Sequence, residues 1–299
     1  MDKPIVTVIV PVYNDEKRIA DCISTICEQN SSSFILDVIV VDNGSTDSTF
    51  EIASTFPVKY ENVEVVRCMT PGSYAARNYG ISMSRGSFFA FTDSDCLVSK
   101  NWIESNLAKF KNFDGNTVLA GEVEFYREDG KSTEQSAIDF ENTFSMKQEE
   151  NANNGKCITA NFFCSRLLFD KCGTFDDSLK SGGDIEMSSR VVQNGGRVVY
   201  NHQALVKHPS RNVRELIVKR KRIIGGTWDS SLSKASLKER IKFCVLLLKT
   251  FLGRSKKIVL ETNFSLPRKM SIVLLLFNIF AVSIFELISL SLGKASNRQ

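Results

Sequence analysis

Ser87-Phe88-Phe89-Ala90-Phe91-Thr92-Asp93-Ser94-Asp95 is an apolar run that stops at two carboxylates. Its length and aromatic content predict a buried strand. A chain leaving such a strand delivers Asp93 and Asp95 to the C-terminal edge of a sheet, where open α/β sheets bind ligands. Two acids one residue apart make a poor core motif, because each buried charge needs its own partner. They are well suited to hold a divalent cation against a diphosphate.

Working outward, the residues before this run alternate strand and helix signals. Ile5–Val10 is a β-branched strand, and Asp15–Gln29 has helical spacing through Ile19, Cys22, Ile23 and Ile26. Leu36–Val41 is a second strand, followed by a helix through Thr55 with Asp47 as its N-cap. Val63–Val66, a helix over Ser73–Met83 and the strand Ser87–Phe91 complete the series. Alternation of this kind implies right-handed crossovers and a mainly parallel sheet. After the acid pair come a helix over Ser99–Phe110 capped by Ser99, a strand over Thr117–Tyr126 and a polar helix over Lys131–Glu150. A strand over Cys157–Phe163, helices over Ser165–Cys172 and Asp184–Asn194, and a short strand pair, Arg197–Tyr200 with Ala204–Lys207, follow. From Asn212 on the periodicity is helical throughout: Val213–Ile224, Lys234–Leu252 and a last apolar stretch. The chain therefore reads as an α/β domain over 1–212 and a helical region over 213–299.

Composition narrows the class. Of 299 residues, 42% are hydrophobic and 24% charged, an ordinary globular balance. A net charge of +4 is too small to suggest a nucleic-acid partner, and the bases collect late, at Lys219–Arg222 and Arg254–Lys257. The eight Cys form no CxxC pair, and Cys22, Cys27, Cys164, Cys172 and Cys244 sit in apolar segments, so they read as reduced core thiols of a cytosolic domain. Cys96 follows the acid pair directly, which places it near a candidate site, but it is assigned to packing. Met1–Pro4 leads straight into a strand without the pattern of a signal peptide. Residues 271–292 are mostly Leu, Ile, Val and Phe, long enough to span a bilayer. Glu286 within that stretch is costly in lipid, so a buried or interfacial helix stands as the alternative. Arg254, Lys256, Lys257, Arg268 and Lys269 before it, against Lys294 and Arg298 after it, favour a catalytic domain on the cytoplasmic face.

Four clusters lie at strand ends: Val10-Pro11-Val12-Tyr13-Asn14, Val41-Asp42-Asn43-Gly44-Ser45-Thr46-Asp47, Gly72-Ser73-Tyr74-Ala75-Ala76-Arg77-Asn78 and Asp93-Ser94-Asp95. In this order and spacing they resemble the nucleotide-sugar-binding half of family 2 glycosyltransferases with the GT-A fold. Gly173-Thr174-Phe175-Asp176 and Gly182-Gly183-Asp184-Ile185-Glu186 are similar to that family's acceptor-side segment, and the likeness covers roughly residues 4–212. It implies a metal-dependent sugar transfer from a nucleotide-diphosphate sugar to an acceptor hydroxyl, with inversion, using Mg2+ or Mn2+. Membrane attachment points to a lipid-linked or cell-surface glycan acceptor.

The resemblance also assigns roles. Asp42 would contact the base or ribose; a turn residue is the alternative, since Asp-Asn-Gly turns well. Arg77 would contact base or phosphate, and Pro11 and Tyr13 would shape the nucleotide pocket. Asp95 would ligate the cation, with Asp93 nearer the ribose or a metal-bound water. Asp184 is the candidate general base and Glu186 the runner-up, although Arg190 one turn on is placed to pair with Glu186. His208 resembles a late metal-ligating His. Rival readings are a non-catalytic sugar-nucleotide-binding protein, a nucleotidyltransferase, for which this chain lacks the glycine-rich basic loop after the first strand, and transfer with retention on the same fold.

Overall fold

A computed structural model of the protein describes residues 3–29, 31–179 and 181–295. Met1, Asp2 and Arg298, used above in reading the termini, lie outside the described residues. The chain forms two units: Met1–Glu124 with Met146–Pro209, and Phe125–Ser145 with Ser210–Gln299.

In the first unit β1 (Ile5–Val12), α1 (Ile19–Cys27), β2 (Ile35–Asp42), α2 (Thr49–Ala53), α3 (Phe56–Lys59), β3 (Val63–Arg67), α4 (Ser73–Met83) and β4 (Phe88–Phe91) follow the expected alternation. β1 runs parallel to β2 on one side and β4 on the other, and β2 runs parallel to β3. Buried on both faces, β1 is apolar nearly throughout, as parallel strands under helices must be. Next come β5 (Leu97–Val98), α5 (Trp102–Phe110) and β6 (Thr117–Tyr126). After α6 (Gln135–Phe144), which belongs to the second unit, the chain returns through α7 (Gln148–Asn153), β7 (Phe162–Ser165), α8 (Arg166–Cys172), α9 (Gly183–Gln193) and β8 (Arg197–Pro209).

The sheet order is β3-β2-β1-β4-β7-β6-β8-β5. β7 is antiparallel to β4 and β6, and β5 is antiparallel to β8. This is the mixed sheet flanked by helices that the motifs imply, but it is not mainly parallel: β1 to β4 form three parallel pairs, and the pairs made by β7 and β5 are antiparallel. Successive strand residues point to opposite faces and build two core layers. Val6, Val8 and Val10 pack with Ile19, Ile23 and Trp102, while Ile9, Phe89 and Phe91 pack with Ala76, Leu168 and Met187. Removing a buried ring such as Phe91 from these layers costs about 3–5 kcal/mol.

The second unit is helical. α10 (Val213–Thr227), extended by a π-turn, α11 (Leu237–Leu260) and α12 (Leu266–Ser291) accompany α6. Capping boxes open two of them, Asn212 with Glu215 and Ser236 with Glu239. α12 packs against α6, α10 and α11. By length and hydropathy (2.4) it could cross a membrane. Its acid, Glu286, is fully buried and bonded to Lys294 at 2.9 Å. Asp139 is paired with Arg268 at 2.6 Å, and Glu141 with Arg211 at 3.0 Å.

Several expected boundaries change. The helix read over Lys131–Glu150 breaks between α6 and α7, where Met146 adopts φ 46°. The strand read over Cys157–Phe163 starts at Phe162, after a 3-10 turn over Thr159–Asn161. The expected pair of short strands is one 13-residue strand, β8, because Asn201-His202-Gln203 continues it rather than turning. Asn101, not Ser99, precedes α5, although the Ser99 carbonyl accepts the Trp102 N–H at 3.0 Å. Ser48 is the N-cap of α2, and Asp47 accepts the Thr49 N–H from one residue earlier. All eight cysteines are free thiols, six of them buried.

Candidate active site

Asp93 leaves the centre of the sheet at the end of β4 and meets Arg77 of α4, whose Nη2 donates to Oδ1 at 2.6 Å. Arg77 is only 3% exposed. The reason is local: a Cβ added at Gly80, one turn further on, would lie 2.7 Å from the Ile9 side chain, so α4 presses directly onto β1. Arg77 Nη1 also donates to the Ser73 carbonyl at 3.3 Å, while its Nε is buried with no hydrogen-bond partner among the described residues. A buried, unmatched donor on a cation at a strand edge is a ready contact for an anion.

Asp184 comes from the first turn of α9 and joins the same cluster. Tyr74 Oη donates to Asp184 Oδ1 at 3.3 Å, and the Arg77 guanidinium lies 5.7 Å from the Tyr74 ring centre. Glycine is required at 183, because a Cβ there would meet the Tyr74 ring at 2.7–2.9 Å. Burial is the main cause that raises the Asp184 pKa above the ordinary 3.8, with the charge of Asp93 adding to it; Arg77 and the N–H groups of Ile185 and Thr159 oppose the rise. Burial likewise pushes the Tyr74 hydroxyl up to about 12, helped by the neighbouring Asp184 charge. Glu186, two residues on, differs. Arg190 clamps both its oxygens, at 2.9 and 2.7 Å, and uses its remaining donors on the Cys172 and Thr174 carbonyls.

Asp95 stands on the other side of the acid pair, near His208 at the end of β8. The two-residue β5 makes this possible. Leu97 pairs with Lys207 and Val98 with Val206, and the register brings the residues just before β5 beside those just after Lys207. His208 is buried, and its Nδ1 lies 2.8 Å from the Pro209 carbonyl. A carbonyl only accepts, so Nδ1 is the donor in this bond, and in the neutral ring Nε2 is then the lone-pair nitrogen. Nε2 lies 3.6 Å from Asp95 Oδ2. Two lone-pair atoms facing each other at that distance are the arrangement a cation bridges.

Asp95, Cys96 and His208 offer ligand atoms within 4.8 Å of one another. The carboxylate and imidazole fit Mn2+ or Mg2+, whereas a thiol suits softer metals. Cys96 is fully buried within the core layer, and burial together with the Asp95 and Asp93 charges holds its thiol well above the usual range. Its packing role agrees with the sequence reading, although it lies nearer the cluster than packing alone required.

The remaining expected residues gather around β1 and β2. Val12 is paired with Asp42 across the parallel ladder, Pro11 is buried beside Val41, and Tyr13 is 57% exposed just beyond the strand. Asp42 is fully buried; it receives the Gly44 and Ser45 N–H groups at 3.3–3.4 Å and has Arg67 at 3.8 Å. Its turn-capping role is therefore realised in the structure. Asn43 ties the loop ahead of α4 to β2, donating to the Cys68 and Thr70 carbonyls and accepting from the Gly72 N–H at 2.7 Å.

With this geometry in hand, comparison with known proteins is decisive. A sequence profile described as Glycosyl transferase family 2 matches residues 7–173. The chain belongs to glycosyl transferase family 2. Glycosyltransferase AglE of Haloferax volcanii is 33% identical over 255 residues, covering 84% of this chain and 82% of that one. Poly(ribitol-phosphate) beta-glucosyltransferase of Bacillus spizizenii is 23% identical over 83% of this chain and 40% of its own length. Among solved structures, the mannosyltransferase PcManGT of Pyrobaculum calidifontis, in complex with GDP-Man and Mn2+, superposes with a TM-score of 0.58 at 17% identity, covering 98% of this chain and 77% of that one. S. aureus TarS 1-349 in complex with UDP-GlcNAc gives 0.56 at 20% identity, covering 97% and 92%. These structures fix the fold as GT-A, and the protein is a glycosyltransferase.

The candidate site also brings together side chains that the sequence alone did not single out. Tyr74 was one letter of a cluster, yet it bridges Arg77 and Asp184. Asp15 and Arg18, read as helix residues, form a layer under the acid pair: Ser94 Oγ donates to Asp15 Oδ2 at 2.7 Å and Arg18 Nε to Asp15 Oδ1 at 2.6 Å. Arg18 Nη1 then reaches to 3.9 Å from Asp95. Burial raises the Asp15 pKa despite both bonds. The only sequence signal was an Asp-x-x-Arg spacing, which helix starts commonly show.

Proposed function

We propose that the protein transfers a sugar from a nucleotide-diphosphate sugar to an acceptor hydroxyl with inversion, in a metal-dependent reaction. The observation that carries this reading is the convergence of Asp93, Arg77, Tyr74 and Asp184 beside Asp95 and His208. Pro11, Tyr13 and Asp42 line the ends of β1 and β2 and would receive the nucleoside. Arg77, with its unmatched Nε, would meet the phosphates while Asp93 holds its guanidinium in place. Asp95 and His208, with Asp93 at the edge, would hold Mg2+ or Mn2+, which when bound neutralises charge on the departing diphosphate.

Asp184 would act as the general base. Its carboxylate takes the acceptor hydroxyl proton as that oxygen bonds the anomeric carbon, and the nucleoside diphosphate leaves from the opposite face. The raised pKa moves a carboxylate towards the range in which proton capture is efficient. Tyr74 fixes its orientation. Glu186 remains the alternative base, disfavoured by its clamp to Arg190. We place the protein on the cytoplasmic face of a membrane, attached through its C-terminal helices, with a glycan or lipid-linked acceptor; the apolar α12 and the basic residues around it support this.

The test is a panel of nucleotide sugars incubated with and without Mn2+, with the anomeric configuration of the product read by NMR. Turnover of one donor, abolished by chelation and giving inverted product, is expected. Full turnover by Asp184→Asn, or retained configuration, would overturn the base assignment.

A further inference from the structure

α12 lies within a group of charged helices, and that bears on whether it crosses the bilayer. Its middle falls near Asn278. Phe251 of α11 packs there, with ring centres 6.1 Å from Phe277 and 5.4 Å from Phe280. Lys249, two residues from Phe251, is exposed. On α10, Arg220 Nε donates to Ser283 Oγ at 2.6 Å, and Lys219, Lys221 and Arg222 flank it. Ser283 is about 7 Å along the helix from its middle, well inside a hydrocarbon core that extends about 15 Å either way. A spanning α12 would thus carry Lys249 and the Arg220 cluster into lipid, where charges are strongly disfavoured.

The exposed side chains suggest a different seat. On α11, Leu237, Ile241, Val245, Leu248, Leu252 and Val259 are all exposed. Their spacing places them on a strip less than a quarter of the helix circumference wide, with the exposed Leu246 and Leu260 lying beyond it. Lys238, Lys242, Lys249 and Lys256 follow along one border of that strip. Basic residues far outnumber acids on α11, whose one acid is Glu239 in the first turn. On α12, Leu266, Met270, Leu274, Phe277, Phe285 and Ile288 form an uncharged exposed strip opposite its buried face. A narrow apolar strip edged by lysines matches the surface of an anionic bilayer, with apolar side chains in the acyl boundary and ammonium groups among the headgroups.

We propose that α11 and α12 form a hairpin lying in the plane of an anionic bilayer, with neither helix crossing it. This rests on the membrane attachment proposed above, but not on the sugar transfer. Two measurements on the full chain test it. The first is flotation with vesicles of phosphatidylcholine alone or mixed with phosphatidylglycerol. Flotation only with the mixed vesicles is expected, weakened by salt and about 25-fold by Lys242→Gln with Lys249→Gln, since each lysine near such a surface contributes about fivefold. Ile241→Glu with Leu248→Glu, at exposed positions that leave the fold intact, should abolish it. Flotation indifferent to vesicle charge, or a dimer that does not float because the strips pair between copies, overturns the proposal.

The second measurement labels Asn263→Cys, in the α11–α12 loop, and Ala295→Cys, past the end of α12, with an impermeant maleimide in sealed membrane vesicles, relative to the parent chain. An in-plane hairpin exposes both positions on one side. Labelling from opposite sides means α12 spans, which overturns the in-plane seat while leaving membrane attachment intact. Absence from membranes altogether removes the attachment itself.

Discussion

The two units of this chain treat buried charge in opposite ways. In the helical unit each buried carboxylate has a dedicated cation: Asp139 takes two bonds from Arg268, Glu141 bonds Arg211, and Glu286 bonds Lys294. Around the acid pair of the sheet unit the charges are shared. Arg77 serves Asp93 while lowering the pKa of Asp184, Arg18 lies between Asp15 and Asp95, and the Arg77 Nε has no partner among the described residues. Closed pairs are matched internally, and removing one partner leaves an uncompensated buried charge. Shared, partly matched charges leave capacity for a ligand and shift pKa values, which is how functional sites differ from structural ones.

The same contrast runs through one helical turn. Asp184 and Glu186 sit two residues apart at the start of α9, one raised in pKa and the other clamped by Arg190. Asp184→Asn is expected to lower kcat by about 10²–10⁴, the usual contribution of a positioned base, with little change in donor KM. Glu186→Gln should cost less than about tenfold, measured in the same assay. Equal losses would break the distinction between shared and closed acids.

Next in size is the cation pair. His208→Ala should weaken Mn2+ binding, measured by titration calorimetry with a nucleoside diphosphate present, by at least ~10-fold, since even outer partners of a metal site are worth that much. Unchanged affinity would remove His208 from the site. In the helical unit, Arg268→Ala leaves the Asp139 carboxylate buried without its cation. It should lower unfolding stability by about 1–2 kcal/mol, discounted because Arg268 is partly exposed, while the rate per folded molecule stays constant. A catalytic defect larger than the loss of folded protein would show that this pair is not purely structural.

The smallest effect concerns pH. A carboxylate whose pKa rises on folding favours the folded state in its protonated form. That stabilisation is complete below the ordinary 3.8 and is lost as pH climbs through the raised value. At neutral pH Asp184 is therefore held ionised at a cost. Asp184→Asn should raise Tm slightly, within about 2 °C, with the gain vanishing in acid. The rate of the parent enzyme should fall on acidification at a pH above 3.8, as the base takes up a proton. A Tm lowered at neutral pH would mean that the carboxylate is structural.

Much of the first unit was legible because its signals are local. A β-branched run such as Ile5–Val10, an acid pair closing an aromatic strand, and an i, i+4 Glu186–Arg190 pairing can each be read within one window of sequence. The parts that were misread depend on partners far away in the chain. Leu97-Val98 is too short for any pattern and is a strand only because β8 pairs with it. Tyr74 reaches Asp184 only because α4 and α9 meet over the sheet. The helix break at Met146 has no Gly or Pro to announce it. On the cost of Glu286 in lipid the sequence raised a real question, and its answer, Lys294, lay two turns further along.

The pairing of β5 with β8 also bears on the order of assembly. The acid pair is made early in synthesis, on the fourth strand, whereas His208 is on the last strand of the sheet. Closing so long a stretch of chain is slow compared with forming the local βα units. A nascent chain can therefore carry the acid pair while still lacking the imidazole that lies beside Asp95. Only when β8 docks along β5 do Asp95 and His208 come together, so on the proposed function the cation site would be completed later than the acid pair.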